Sequence, residues 1–250
     1  MTKSREFMNK NLTTPMGPVL GSGAMFDRIA KRYDRVNRII SLGQDRRWRR
    51  KAIAAMQLHE GATVLDVATG TGPMMQQMQR TRDHLHLVGI DPSAQMLRFG
   101  KQHLRPKSEV FIEWIQGDGQ HLPFKDAAFD AVCIAYGIRN VPNRLQALRE
   151  MRRVLKPEGR LAILELSFPP PMGILNRLAR FYIQRCVPRI GGMLSSASEY
   201  DYLHKSIAQF PSSTVFTQMI QEAGLEVLQV VPMTFGSCYL YVAKRVDKPT

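Results

Sequence analysis

The segment Val64-Leu65-Asp66-Val67-Ala68-Thr69-Gly70-Thr71-Gly72-Pro73 constrains the fold more than any other stretch of this chain. An apolar run carries an acid near its end, a glycine turn follows, and Pro73 stands where the first position of a helix favours proline. Gly70 and Gly72 let the backbone pass close to a ligand with no side chain in the way. The same alternation continues downstream. Thr63–Val67 leads to a helix from Pro73, and Leu85–Ile90 to a helix from Pro92. Val110–Gln116 follows, then Phe129–Ala135 with a helix over about 143–155, then Arg160–Leu166. Strand–helix alternation predicts an α/β fold with a mostly parallel sheet and helices on both faces. After a helix at 213–223, Leu225–Val231 and Cys238–Lys244 are joined by a short turn containing Gly236. So short a connection makes them an antiparallel pair at one sheet edge, bringing the sheet to seven strands.

Ahead of this region the pattern differs. Residues 1–22 read as a loose leader. Met25, Phe26, Ile29, Tyr33, Val36, Ile39 and Ile40 recur at helical spacing, and a second helix is expected from Asp45 to Met56. Residues 1–60 carry 13 basic and 5 acidic residues, so eight of the fourteen excess positive charges lie in the first quarter. The domain reading is therefore a basic helical segment, 1–60, covering the active site of a ligand-binding domain, 61–250. A helical lid is inserted at about 170–210. Basic charge suits an anionic surface, nucleic acid or substrate, and does not choose among them. The polar start, the lack of a long apolar run and three widely spaced cysteines lead us to expect a cytoplasmic protein with reduced thiols.

Acids follow three successive strands: Asp66 within the first motif, Asp91 at the next strand end, and Asp118 in Gly117-Asp118-Gly119. A dinucleotide fingerprint would place a third glycine at Met75, and a P-loop would need Gly-Lys-Ser/Thr, so NAD and ATP are disfavoured. The pattern resembles the S-adenosylmethionine site of Rossmann-like methyltransferases. The resemblance places Asp66 near the methionine moiety, Asp91 on the ribose and Asp118 toward the adenine. It adds Gly70, Thr71, Gly72, Gly119 and Ala135 to the cofactor-binding set.

Two further segments are more specific: Tyr33-Asp34-Arg35-Val36-Asn37 through Ser41-Leu42-Gly43 to Trp48, and Tyr136-Gly137-Ile138-Arg139-Asn140-Val141. Together they resemble the C-methyltransferases of ubiquinone and menaquinone biosynthesis, over about 25–244. Pro73, Ala135 and Thr234-Phe235-Gly236-Ser237 depart from that family's usual acid, serine and paired glycines. The resemblance implies methylation of a prenylated hydroquinone ring, demethylmenaquinol first and a benzoquinol as the alternative. It assigns Tyr33, Arg139 and Asn140 to the acceptor pocket, with no metal. Arg139 serves as a fixed positive charge beside a phenolate, being too basic to act as a base. RNA or protein methylation and a non-catalytic scaffold are the rival readings. The first is disfavoured because no RNA-binding module or Asn-Pro-Pro-Tyr-type segment is present, and nucleic acid is not an expected partner. A homo-oligomer is left open.

A water-insoluble quinol raises the question of access. Residues 172–185 are amphipathic, with Ile174, Leu175, Leu178, Phe181 and Tyr182 on one stripe and Arg177, Arg180 and Arg185 flanking or opposing it. This segment is expected to be a lid resting peripherally on the inner face of a membrane. Trp48 is expected to pack, His121 and His204 to stay outside catalysis, and Lys156-Pro157-Glu158-Gly159 to be a solvated helix–strand turn.

Overall fold

Side chains of the central strands alternate between two apolar layers, as a sheet covered on both faces requires. The computed structural model describes residues 41, 43–170, 173–182, 185 and 197–245. In chain order the elements are α1 (Asp45–Met56), β1 (Thr63–Val67), α2 (Pro73–Met78), β2 (His86–Asp91), α3 (Ala94–His103), β3 (Phe111–Gln116), β4 (Phe129–Ala135), α4 (Arg144–Val154) and β5 (Leu155–Leu166). They continue with α5 (Ile174–Phe181), α6 (Ala197–Ala208), α7 (Ser213–Glu222), β6 (Leu225–Met233) and β7 (Cys238–Arg245). Short 3-10 turns lie at Ile138–Asn140 and Thr234–Gly236.

The seven strands are ordered β3-β2-β1-β4-β5-β7-β6. The first five are parallel, and β7 runs antiparallel to both β5 and β6. The expected antiparallel pair is present at that edge, with β7 inside and β6 outermost. Val64, Ala131, Cys133, Ala162 and Leu164 join one core layer with Trp48 and Ala52 of α1 and Met74, Met75 and Met78 of α2. Leu65, Val132, Ile134, Leu161 and Ile163 join the other, with Leu148 and Met151 of α4 and Phe216 and Ile220 of α7. The strand order reverses between β1 and β4, which opens a crevice at their carboxyl ends.

One expectation needs correction. Lys156-Pro157-Glu158-Gly159 does not lie between helix and strand but forms an irregularity inside β5, with Pro157 and Glu158 exposed to solvent as expected. Leu155 pairs with Phe129 and Arg160 with Ala131, so four residues bulge against one. Glu158 takes φ +61, and Lys156 Nζ donates to Asp130 Oδ1 at 2.7 Å. The expected helix over 23–40 lies outside the described residues. Among those described, no helix is long and apolar enough to cross a membrane.

Candidate active site

Four adjacent strands end level with one another. Val67 pairs with both Ile90 and Ile134, and Asp91 pairs with Gln116. The segments just beyond, 68–72, 91–93, 117–119 and 135–140, therefore gather along one edge of the sheet. Every described residue of the sequence-derived site lies on them, except Asp66, one step inside β1.

The glycine loop is fastened to β2. Thr69 N donates to the carbonyl of Ile90 at 3.1 Å, and Gly70 N donates to Asp91 Oδ2 at 2.8 Å. The other Asp91 oxygen accepts from Ser93 N at 2.9 Å, while Ser93 Oγ caps α3 by accepting from Met96 N. Asp91 thus holds the loop and the start of α3 together, whatever else it binds. Gly70 has φ +59 and open space where a Cβ would stand, a bare stretch of backbone that a ligand can approach. Gly72 has φ +83, and a Cβ there would lie 2.5 Å from the Trp114 ring. Thr71 is buried between these glycines.

Asp66 is buried beneath the loop. Thr69 Oγ1 donates to it at 2.7 Å, and the Cys133 thiol of β4 donates at 3.3 Å. Burial pushes the Asp66 carboxyl up to about 6, against these two hydrogen bonds and the nearby Arg49 charge, which favour ionisation. Burial also holds the Cys133 thiol well above its ordinary range, so it serves as a proton donor rather than a thiolate. Asp118 is exposed and closes a local turn, accepting from Gln120 N at 2.9 Å and Gln120 Nε2 at 2.8 Å. A Cβ on Gly119 would lie 2.9 Å from Val67 Cγ1, so that loop rests on the end of β1. Ala135 is half-buried at the last position of β4.

Ala68 at φ +53 and Tyr136 at φ +61 are side-chain-bearing residues in the left-handed region, at the ends of β1 and β4. They flank a tight contact: a Cβ on Gly137 would lie 2.6 Å from Ala68 Cβ. Such strain costs on the order of 1–3 kcal/mol per residue and persists where the surroundings enforce it. The Arg49 guanidinium of α1 stands 5.2 Å from the Tyr136 ring centroid and pairs with Asp45 at 2.5 Å. The Tyr136 hydroxyl is buried without a hydrogen-bond partner among the described residues, and burial holds its phenol well above the ordinary range.

Arg139 sits in the 3-10 turn after β4 and is buried. Its Nη1 donates to Glu165 Oε1 at 2.7 Å, its backbone N to Glu165 Oε2 at 3.0 Å, and its Nε to Ser206 Oγ at 3.3 Å. Asn140 is half-buried and its Oδ1 accepts from the Tyr202 hydroxyl at 2.9 Å. Helix α6 is therefore bonded to both residues of the Arg-Asn pair. Tyr33 lies outside the described residues. Trp48 is a packing residue, buried, with its indole N–H donating to Thr234 Oγ1 at 3.0 Å. His121 is exposed, and His204 packs its ring against Phe168.

Sequence reasoning did not assign Glu165, Cys133, Arg49, Tyr202 or Ser206. Glu165 carried a usable signal, since an acid in the apolar run Leu161-Ala162-Ile163-Leu164-Glu165-Leu166 needs a buried partner. The residues on α6 carried none. Among the described residues, no group of three His, Cys, Asp or Glu side chains is placed to hold a metal ion.

Residues 21–245 match the model of the ubiE/COQ5 methyltransferase family. The chain is 40% identical over 223 residues to the ubiquinone/menaquinone biosynthesis C-methyltransferase UbiE of Geotalea uraniireducens, covering 88% of this chain and 94% of the relative. It is 38% identical over 219 residues to the demethylmenaquinone methyltransferase of Thermotoga maritima, covering 87% and 93%. Among solved structures, a SAM-dependent methyltransferase from Aquifex aeolicus superposes with a TM-score of 0.58 at 20% identity, covering 79% of this chain and 89% of that one.

Proposed function

The chain belongs to the ubiE/COQ5 methyltransferase family, and from that premise we propose that it methylates a ring carbon of a prenylated naphthoquinol, converting a demethylmenaquinol to a menaquinol. It is a C-methyltransferase of quinone biosynthesis. The naphthoquinol reading draws support from relatives named for that substrate alone. The observation that carries the activity is the edge where four strand ends bring the bare Gly70 backbone, Asp66, Asp91 and Gly119 beside the Arg139-Asn140 turn.

The donor set suits S-adenosylmethionine, which supplies an electrophilic methyl group on a sulfonium. We assign its methionine ammonium to the side of Asp66, the ribose hydroxyls to Asp91 and the adenine edge to the Asp118-Gly119 loop. Gly70 and Gly72 keep side chains out of the path, while Thr71 and Ala135 border it. The acceptor ring lies on the side of Asn140 and, by assignment, Tyr33. In the reaction the ring carbon beside a phenolic oxygen forms the new carbon–carbon bond as the methyl–sulfur bond breaks. The phenolic proton must be drawn off as electron density moves into the ring, and the ring proton then leaves to restore aromaticity. Asn140, its carbonyl occupied by Tyr202, offers amide N–H donors to the developing phenolate. Arg139, already paired with Glu165, fixes the backbone of that turn, and its role is positioning.

The quinol is water-insoluble, so we also propose that the protein works at the inner face of a membrane without spanning it. Competition between tail-less demethylated naphthoquinol and benzoquinol at equal concentration tests the substrate choice. We expect methyl transfer to favour the naphthoquinol by tenfold or more, and a reversed preference would replace it with the benzoquinol.

A further inference from the structure

We propose that helix α5 and the Thr234–Gly236 turn form one membrane-docking surface, in which Ile174, Phe181 and Phe235 insert among the lipids of an anionic bilayer. The proposal rests on the quinol reading for its purpose, though its physical basis is separate. The large exposed apolar side chains among the described residues include Ile174 at 76%, Phe181 at 59% and Phe235 at 50%. The helix that carries Ile174 and Phe181 packs against the turn that carries Phe235, so all three belong to one region of the surface. The turn also rests on the exit of β5, where a Cβ on Gly236 would lie 2.9 Å from Pro170 Cδ. Arg180 Nη1 ties the helix to the same exit by donating to the carbonyl of Pro169 at 3.3 Å.

The location is informative. Cys238 pairs with Leu166, so the turn before β7 and the segment after β5 lie at the carboxyl end of β5, the end of the sheet that carries the candidate site. The surface also has the charge that a lipid partner would select. Arg177 is exposed and lies three residues after Ile174 and four before Phe181, on the same helical face. The cation therefore sits among the exposed apolar side chains instead of opposite them, and Arg185 is exposed just beyond the helix. Interleaved cations and large apolar groups on one exposed face suit the headgroup–acyl boundary of an anionic leaflet.

Phe235 adds a second kind of observation. Thr234, Phe235 and Gly236 have φ of 43, 60 and 80, three successive left-handed residues. Only the last is a glycine. A left-handed backbone is unfavourable for phenylalanine, and here it displays the ring to solvent. Replacing it by glycine removes the ring and relieves the backbone, so a loss of binding cannot be put down to unfolding.

The test is sedimentation of the full chain with vesicles of phosphatidylcholine containing phosphatidylglycerol, at low and high salt, with neutral vesicles in parallel. The wild-type protein should bind the anionic vesicles, lose most binding at high salt and bind neutral vesicles at least tenfold more weakly. Phe235→Gly should weaken partitioning about fivefold, the scale for a half-exposed phenylalanine. Ile174→Ser with Phe181→Ser should weaken it further. Wild-type binding that these variants leave unchanged would overturn the proposal, as would no binding at all. Methylation of a tail-less quinol without vesicles, equal for wild type and Phe235→Gly, keeps the two readings apart. Its absence in both would refute the proposed function and leave the vesicle result to stand or fall by itself.

Discussion

Replacing Arg139 by alanine should cost stability before it costs chemistry. The Arg139 side chain is 3% exposed and that of Glu165 is not exposed at all, and they meet at 2.7 Å. Removing one partner of a buried ion pair costs about 3–5 kcal/mol, because the other charge is left uncompensated. Here Glu165 keeps donors from Arg139 N and Leu166 N, so the lower end, about 3 kcal/mol, applies. That is a large part of the 5–15 kcal/mol typical of a folded domain. Glu165→Gln neutralises the stranded charge, so Arg139→Ala with Glu165→Gln should lose less than the sum of the single variants, by about 1.5 kcal/mol or more. Urea unfolding followed by circular dichroism measures all four corners of this cycle. Turnover is then compared where each variant is fully folded. A loss below about 1 kcal/mol for Arg139→Ala, with an additive cycle, would show that the pair contributes nothing and that Arg139 faces solvent or substrate.

Asp91→Ala should lower S-adenosylmethionine affinity by roughly tenfold to a few hundredfold, from loss of about 1.5–3 kcal/mol in charged hydrogen bonds, read by calorimetry. Asp66, pushed up to about 6, must be ionised to face an ammonium, so affinity should fall about tenfold per pH unit below 6 and level off above it. Asp66→Asn should flatten that profile. Without ligand the sign reverses. A raised carboxyl pKa means that the folded state holds the proton more tightly. The Asp66 contribution is therefore fully present below about pH 4 and is lost as pH rises through 6, about 3 kcal/mol in all. Gly100→Ala should destabilise the protein by 2 kcal/mol or more, seen as a lower unfolding midpoint, because the added Cβ would lie 2.5 Å from the Trp114 ring and 2.8 Å from the Thr71 carbonyl.

What the sequence revealed follows from which interactions are local. The glycine loop, the proline at the start of α2 and the strand–helix alternation are written in neighbouring residues. Strands Thr63–Val67 and Phe129–Ala135 accordingly begin and end where apolar patterning puts them. The Asp91 clamp on Gly70 N, the Cys133 thiol on Asp66 and the Arg139–Glu165 pair each join residues on different strands or loops. Their partners become visible only once the strand order is known. Arg139 shows the limit most plainly. Its motif points to a site, whereas its burial depends on Glu165 in the next strand and Ser206 in a helix far along the chain. Phe235 is similar, since nothing in Thr-Phe-Gly says that three successive residues will turn left-handed.

The most direct test incubates the purified protein with methyl-labelled S-adenosylmethionine and a reduced, tail-less demethylated naphthoquinol, and locates the label by NMR. A methyl group is expected on the ring carbon beside the phenolic oxygen, with one S-adenosylhomocysteine formed per methyl transferred. Label on oxygen, or no transfer while both ligands bind, would contradict the proposed function.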